Sequence, residues 1–163
     1  MTAWSKNDEL FFKELKSGHA WQRLPALFFE LHGFDVKIPE LRIRDNIKEA
    51  SKWIDTVDLL INGLQFEIKS RNEIFTSPTS FPYNSIFVDT VSGFDSKTSI
   101  PFAYLMISRS TGSMLWLSTE SKNSWTIEEK FDRVRRIREQ FYTAGKDLLQ
   151  PLSSLVEKIR RLT

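Results

Sequence analysis

The dipeptide Asn62-Gly63 lies between two apolar, strand-forming runs, residues 57–61 and 64–69. Asn-Gly favours the positive φ angles of a type I′ turn, so this pattern is the strongest short-range signal for a β-hairpin. In that turn Ile61 faces Leu64, and three positions further from the turn Asp58 faces Glu67. The dipeptide therefore fixes the pairing of two strands before the rest of the chain is considered.

Side chains alternate between the two faces of a strand, which gives this hairpin one apolar and one largely polar face. The apolar face belongs in the core and contains Leu59, Ile61, Leu64, Phe66 and Ile68. The other face contains Asp58, Leu60, Gln65, Glu67 and Lys69.

Two carboxylates directly opposite each other have Cβ atoms about 5 Å apart and repel. A divalent cation between Asp58 and Glu67 would convert this repulsion into coordination, and hard oxygen ligands suit Mg²⁺ or Mn²⁺. Lys69 lies beyond Glu67 on the same face, where it can hold a water or a phosphate beside the metal. The pattern predicts a site for metal-assisted phosphodiester hydrolysis.

Asp58, followed after a short hairpin by Glu67-Ile68-Lys69, resembles the motif of the PD-(D/E)XK nuclease superfamily. That superfamily includes many restriction enzymes, archaeal-type Holliday junction resolvases, phage recombination nucleases and some homing endonucleases. Val57 replaces the proline that often precedes the aspartate. The resemblance implies that Asp58 and Glu67 bind Mg²⁺, for which Mn²⁺ can substitute, with the Ile68 carbonyl as a backbone ligand. It also implies that Lys69 is the catalytic lysine.

Many members of this superfamily place a third acid on the first core helix. Counting back about three turns from Gly33-Phe34 leads to Gln22, which can offer an amide oxygen but no charge. Glu14, on the preceding predicted helix, is the alternative supplier. The sequence leaves open whether Gln22 or Glu14 completes the metal site, or whether Gln22 is a plain surface residue.

Periodicity and capping residues predict the remaining elements. The expected order is a helix over 5–17, a helix over about 19–32, a strand over 33–39, a polar segment over 40–53, the hairpin, a connection over 70–85, a strand over 85–89, a second hairpin over 102–107 and 114–117, and C-terminal helices. In the second helix we expect Leu24, Leu27, Phe28 and Leu31 to face inward. In the C-terminal helices the apolar positions are Ile127, Phe131, Val134, Ile137 and Phe141, and then Leu152, Leu155, Val156, Ile159 and Leu162.

This order predicts an α/β fold in which a mixed β-sheet is flanked by helices and followed by C-terminal helices. The resemblance implies that the core of this fold is restriction-endonuclease-like. With 163 residues the chain is expected to form one domain, with its core at about 10–120 and a helical extension at about 126–163.

Composition limits the class of protein. No apolar run approaches the length needed to span a membrane, the N-terminal residues do not resemble a signal peptide, and cysteine is absent. We therefore expect a cytoplasmic protein without a membrane partner and without disulfides or thiolate metal sites. The net charge of +2 does not by itself favour nucleic-acid binding.

Candidate contacts to nucleic acid lie close to the hairpin. Ser70, Arg71 and Asn72 follow Lys69 directly, and Lys97 lies in a polar, irregular segment that could extend the substrate surface. Arg109 lies in a polar turn that could equally be a plain exposed turn. The basic residues Arg133, Arg135, Arg136 and Arg138 are flanked by acids at 128, 129, 132 and 139, which favours a salt-bridged helix surface over a DNA contact. A homodimer or higher homo-oligomer through the C-terminal helices would place two sites on one DNA.

The sequence therefore supports a metal-dependent DNA endonuclease that is site-specific or structure-selective and acts on double-stranded or branched DNA. The alternative is a catalytically weak or inactive nucleic-acid-binding module with the same fold, because the expected helix acid is missing. An RNA nuclease is the third possibility, for which the sequence contains no RNA-reading motif.

Overall fold

The computed structural model of the chain describes residues 20–39, 57–133 and 136–163. The predicted helix over 5–17 with Glu14, and the segment over 40–53, lie outside these residues. The helices are α1 Arg23–Leu31, α2 Val91–Asp95 and α3 Leu152–Leu162. The strands are β1 Val36–Lys37, β2 Leu59–Ile61, β3 Leu64–Arg71, β4 Ser85–Thr90, β5 Ala103–Ser108, β6 Met114–Ser118, β7 Thr126–Asp132, β8 Ile137–Gly145 and β9 Gln150–Pro151.

The Asn62-Gly63 hairpin has the predicted register. Strands β2 and β3 pair with Ile61 opposite Leu64 and Leu59 opposite Phe66, and both turn residues have positive φ angles, 48° for Asn62 and 79° for Gly63. The Asn62 side chain accepts a hydrogen bond from the Asp35 backbone N–H at 2.8 Å and donates one to the Thr163 hydroxyl at 3.0 Å. These bonds attach the turn to Asp35, which precedes β1, and to Thr163 at the C-terminal end of α3.

The hairpin belongs to a six-stranded sheet with the order β1-β2-β3-β5-β6-β9. Strands β3 and β5 are parallel and the other neighbours are antiparallel, so the sheet is mixed, as predicted. Helices α1 and α3 cover one face with a core that includes Ala26, Phe29, Leu59, Ile61, Phe66, Leu105, Trp116, Leu155 and Ile159.

A second sheet with the order β4-β8-β7 supplies the other core. There the β5 and β6 residues Tyr104, Met106, Leu115 and Leu117 pack in one cluster with Ile86, Val88, Phe94, Tyr142 and Ala144. The polar face of the first hairpin is on this side of the large sheet, because Glu67 and Lys69 lie beside Tyr104 and Met106 in the β3–β5 register. The strands predicted near 85–89, 102–107 and 114–117 are confirmed.

The helix predicted over 127–141 is wrong, because Thr126–Asp132 and Ile137–Gly145 form the hairpin of β7 and β8. Ile127, Phe131 and Ile137 have helical spacing, but they are 53%, 55% and 46% exposed. The buried residues of this segment are the consecutive Tyr142, Thr143 and Ala144, and β8 pairs with β4, which is distant in sequence. Tertiary pairing overrides the local pattern here. The helical extension is therefore limited to α3, which Pro151 precedes.

The inward face predicted for α1 is also wrong. Leu24, Leu27 and Leu31 are 37%, 55% and 78% exposed, and Phe28 is only partly buried. The helix instead buries Pro25, Ala26 and Phe29. Gln22 precedes Ala26 and Phe29 by four and seven positions and so lies on the same buried face. None of the helices in the described ranges is long and apolar enough to cross a membrane.

Candidate functional site

Asp58 is attached to both the hairpin and the first helix. Its Oδ2 accepts a hydrogen bond from the Ile68 backbone N–H at 2.7 Å, and its Oδ1 accepts one from Gln22 Nε2 at 3.3 Å. The β2–β3 ladder ends at Leu59, so the carboxylate takes the position at which a strand carbonyl would otherwise receive the Ile68 N–H. Asp58 therefore joins β3 to the N-terminus of α1.

Gln22 is only 8% exposed although it is polar. Its Oε1 is buried and finds no hydrogen-bond partner among the residues that the structure describes. A buried amide oxygen without a donor costs free energy, so its position beside a carboxylate suits a water or a cation that would satisfy it. Gln22 and Glu14 were the two candidates for the third metal ligand. Gln22 lies next to Asp58, and Glu14 lies outside the described residues.

Glu67 and Lys69 lie within a group that we call the four-charge cluster, which consists of Glu67, Lys69, Asp89 and Lys97. Lys69 Nζ is 3.2 Å from Glu67 Oε1 and 3.4 Å from Asp89 Oδ1. Lys97 Nζ is 3.3 Å from Glu67 Oε2 and 3.7 Å from Asp89 Oδ2. Each carboxylate thus contacts both ammonium groups, and the two positive and two negative charges balance.

Asp89 is held on its other side by neutral donors. Its Oδ1 accepts a bond from the Thr90 backbone N–H and its Oδ2 one from the Tyr104 hydroxyl, both at 2.9 Å. Tyr104 is fully buried and lies beside Glu67 in the β3–β5 register. Tyr104 therefore fixes Asp89, and Asp89 in turn fixes the two lysines.

The electrostatic environment keeps the central groups protonated. Burial lowers the pKa of Lys69, but the negative charges of Glu67, Asp89 and Asp58 together outweigh it, so the pKa is raised above its ordinary value. Burial, with the nearby charges of Asp89 and Glu67, raises the pKa of Tyr104. In this arrangement Lys69 is an ammonium and Tyr104 is a hydrogen-bond donor.

The residues predicted to contact nucleic acid occupy three different environments. Lys97 lies inside the four-charge cluster, where its side chain is only 9% exposed. Arg109 is exposed and donates to Ser70 Oγ at 3.0 and 3.1 Å and to Asn72 Oδ1 at 3.4 Å, which brings these three together at the C-terminal end of β3. Ser70 and Lys69 are adjacent strand residues and point to opposite faces of the sheet.

Arg71 has a different role from the contact predicted for it. Its Nη2 donates to the Phe87 carbonyl on β4, and burial lowers the pKa of its guanidinium. Its Nε is buried and has no hydrogen-bond partner in the described part of the chain. Arg71 thus bridges the two sheets.

The sequence did not identify Asp89 or Tyr104 as site residues. Strand β4 is irregular at this point: Phe87 pairs with Thr143, whereas Asp89 pairs with Tyr142, so β4 advances two residues while β8 advances one. This irregularity puts Asp89 on the same side as the buried Val88 and Tyr142, although strict alternation would separate neighbouring side chains. The only signal that could have found Asp89 is an acid at the end of an apolar strand.

Within the described ranges, no group of three or more acidic, histidine or cysteine side chains is arranged to hold a metal ion. A comparison with protein-family models and with curated protein sequences gives no match for this chain. The site is therefore interpreted from its own geometry.

Proposed function

We propose that this protein is a metal-dependent DNA endonuclease that hydrolyses phosphodiester bonds. The observation that carries the proposal is the hairpin of β2 and β3, whose paired residues end at Leu59 opposite Phe66, one residue short of Asp58 on one strand and of Glu67 on the other. It is supported by Lys69 beside Glu67 and by the Gln22 amide on Asp58. Gln22 is buried at the start of α1, and its contact attaches that helix to the aspartate of the hairpin.

The residues present fit Mg²⁺ or Mn²⁺. Asp58, Glu67, the orphaned Gln22 Oε1 and the Ile68 carbonyl are all hard oxygen donors. The Ile68 carbonyl points to the same side of β3 as its N–H, toward Asp58. When bound, the cation would polarise a phosphate oxygen and lower the pKa of a bound water.

The protein's own groups would position and stabilise the substrate. Lys69, held as an ammonium by Glu67 and Asp89, would stabilise the negative charge that develops on the phosphate. Asp89 and Tyr104 act as positioning residues, because they contact Lys69 or its partners and are themselves held by the buried sheet. A fixed cation of this kind requires little reorganisation during the reaction.

The proposal is tested by incubating the protein with supercoiled plasmid, a four-way junction and single-stranded DNA, in Mg²⁺, Mn²⁺ or EDTA. We expect cleavage by the wild type in either metal, and its loss in EDTA, in Asp58→Asn and in Lys69→Met. The matched controls are Asp35→Asn and Lys37→Met, which change an exposed surface pair at 69% and 70% exposure and should cleave normally. The preferred DNA would distinguish site-specific from structure-selective cutting, and preferential cleavage of RNA would reassign the substrate.

The alternative, a nucleic-acid-binding module without catalysis, is favoured by one observation. Lys97 and Lys69 already neutralise Glu67 and Asp89, and the helix supplies an uncharged glutamine beside Asp58. This alternative predicts DNA binding that is unchanged by divalent cations, with no cleavage of any of the three substrates.

A further inference from the structure

Strand β8 extends beyond the sheet that it belongs to. Its pairing with β4 ends at Thr90 opposite Phe141, and residues 137–140 continue as a two-stranded ribbon with β7. The four cross-strand pairs run from Glu129 opposite Gln140 to Asp132 opposite Ile137. We call residues 129–132 and 137–140 the distal ribbon.

The turn of the distal ribbon is strongly basic. In the sequence, residues 133–138 include four arginines and no acid. Arg133 and Arg136 are exposed, and the Arg138 side chain is 76% exposed. Arg138 pairs with Glu129 at 3.4 Å, but an exposed pair of this kind contributes little in water, so Arg138 can exchange Glu129 for a phosphate.

The dimensions of the ribbon and the positive charge of its turn suit one partner. Four paired residues span about 13 Å, and the major groove of B-DNA, about 12 Å wide, admits a two-stranded β-ribbon. Arginine is the residue best suited to bidentate contacts with phosphates and guanine. We propose that the distal ribbon binds in the major groove of duplex DNA, with Arg133, Arg136 and Arg138 contacting phosphates or base edges.

The position of the ribbon connects it to the candidate site. Asp89 of the four-charge cluster pairs with Tyr142, which lies two residues after Gln140, the last ribbon residue of β8. Arg136 lies six residues before Tyr142 in the chain, a distance of about 20 Å in an extended strand. DNA held by the ribbon would therefore pass close to the cluster. This inference depends on the proposed function for the choice of DNA, but binding can be measured without cleavage.

The test measures binding to a fluorescent 30-base-pair duplex by anisotropy in EDTA, at several salt concentrations. The variant carries Arg133→Gln and Arg136→Gln, and the matched control carries Arg160→Gln and Arg161→Gln, which remove the same charge from exposed positions of α3. We expect the ribbon variant to bind about tenfold more weakly or worse, with a salt slope reduced by about 2, and the control to bind within about twofold of wild type.

Circular dichroism and the thermal midpoint should match wild type, because the changed side chains are exposed.

Equal losses in the ribbon variant and the control would overturn the proposal, as would a wild type that does not bind the duplex. Equal affinity for duplex RNA would also overturn it, because the major groove of A-form RNA is too narrow for a ribbon. Unchanged DNA affinity with loss of self-association would overturn it too and would assign the ribbon to a second copy of the chain. Because EDTA prevents cleavage, binding is measured independently of activity. A protein that binds DNA through the ribbon but cleaves no DNA would contradict the proposed function and leave this inference intact.

Discussion

At the scale of single residues, the four-charge cluster defines the site. Glu67 and Asp89 each contact both lysines, and the four side chains are between 9% and 27% exposed. Charged side chains that are so poorly solvated are stabilised by their ion-pair partners, because removing one charge leaves another desolvated and unpaired. Substitutions in the cluster should therefore affect stability as well as activity.

Lys97→Met should lower the free energy of unfolding by about 2 kcal/mol, since Glu67 and Asp89 would then share one ammonium in a poorly solvated position. The control is Lys37→Met, whose side chain is 70% exposed and which should change stability by less than about 0.5 kcal/mol. Urea unfolding measures both. Equal stabilities for the two variants would contradict the contacts described for Lys97.

Gln22→Glu tests whether the position beside Asp58 can take a charged ligand. The new carboxylate would lie near Asp58 Oδ1, now 3.3 Å from the amide nitrogen, and repulsion should lower the thermal midpoint in EDTA. Millimolar Mn²⁺ should raise the midpoint of this variant more than that of wild type, because a divalent cation relieves the repulsion. Gln140→Glu, at an exposed position, serves as the control and should show no added response to Mn²⁺. A midpoint for Gln22→Glu that Mn²⁺ leaves unchanged would argue against a metal here.

Tyr104 should make the protein sensitive to high pH. Its pKa is raised in the folded state by burial and by Asp89 and Glu67, so the folded protein keeps a proton that the unfolded chain releases above about pH 10. This contribution to stability is fully present below about pH 10 and decreases as the pH rises further.

Tyr104→Phe removes the titration and also the hydrogen bond to Asp89. It should be less stable than wild type at pH 8, and the difference should shrink by up to about 1.4 kcal/mol for each pH unit above 10. Unfolding curves from pH 8 to pH 11 would measure this. A difference that is constant with pH would exclude the proposed protonation of Tyr104.

At the scale of secondary structure elements, the Asn62-Gly63 turn is the most constrained part of the fold. Gly63 has a φ of 79°, which disfavours any residue with a Cβ, although the space that a Cβ would occupy has no other atom within 4 Å. Gly63→Ala should therefore cost about 1 kcal/mol through backbone strain alone. Gly63→Asn should recover part of this loss, because asparagine tolerates the left-handed region. Chemical unfolding of both variants would show whether the turn maintains the hairpin register.

The hairpin was predictable because its signals are local. A two-residue turn and strict alternation predicted the cross-strand pairs from Ile61–Leu64 to Leu59–Phe66 without knowledge of the rest of the fold. The hairpin of β7 and β8 was not predictable in this way. Its apolar residues also fit a helix, and only the pairing of β8 with the distant β4 decides between them. For the same reason the sequence identified the carboxylates of the hairpin but not Asp89.

At the scale of the whole molecule, the large sheet separates two cores. The helices α1 and α3 pack on one face and the small sheet on the other, while Arg71 and the four-charge cluster join the two sheets. The α/β class and the mixed sheet could be predicted from the order of elements. The small sheet could not, since the apolar residues of β7 and β8 have the spacing of a helix.

The homodimer stays a prediction. Its interface was expected on the C-terminal helices, of which the structure contains α3, since residues 126–132 and 137–145 form strands β7 and β8. If two copies act together on duplex DNA, plasmid should be linearised without accumulation of the nicked form, and sedimentation velocity should give about twice the chain mass of 19.1 kDa. A monomer that accumulates nicked circles would contradict this expectation.

The irregular pairing of β4 has a consequence for how such a site could arise. Asp89 joins the cluster because β4 gains one residue relative to β8 between Phe87 and Asp89. Val88 and Asp89 together occupy the place of one residue in a regular strand, and both lie on the side of Tyr142. A single-codon insertion in an ancestral gene could thus have placed two side chains on this side of the strand, one for the apolar cluster and one for the charges.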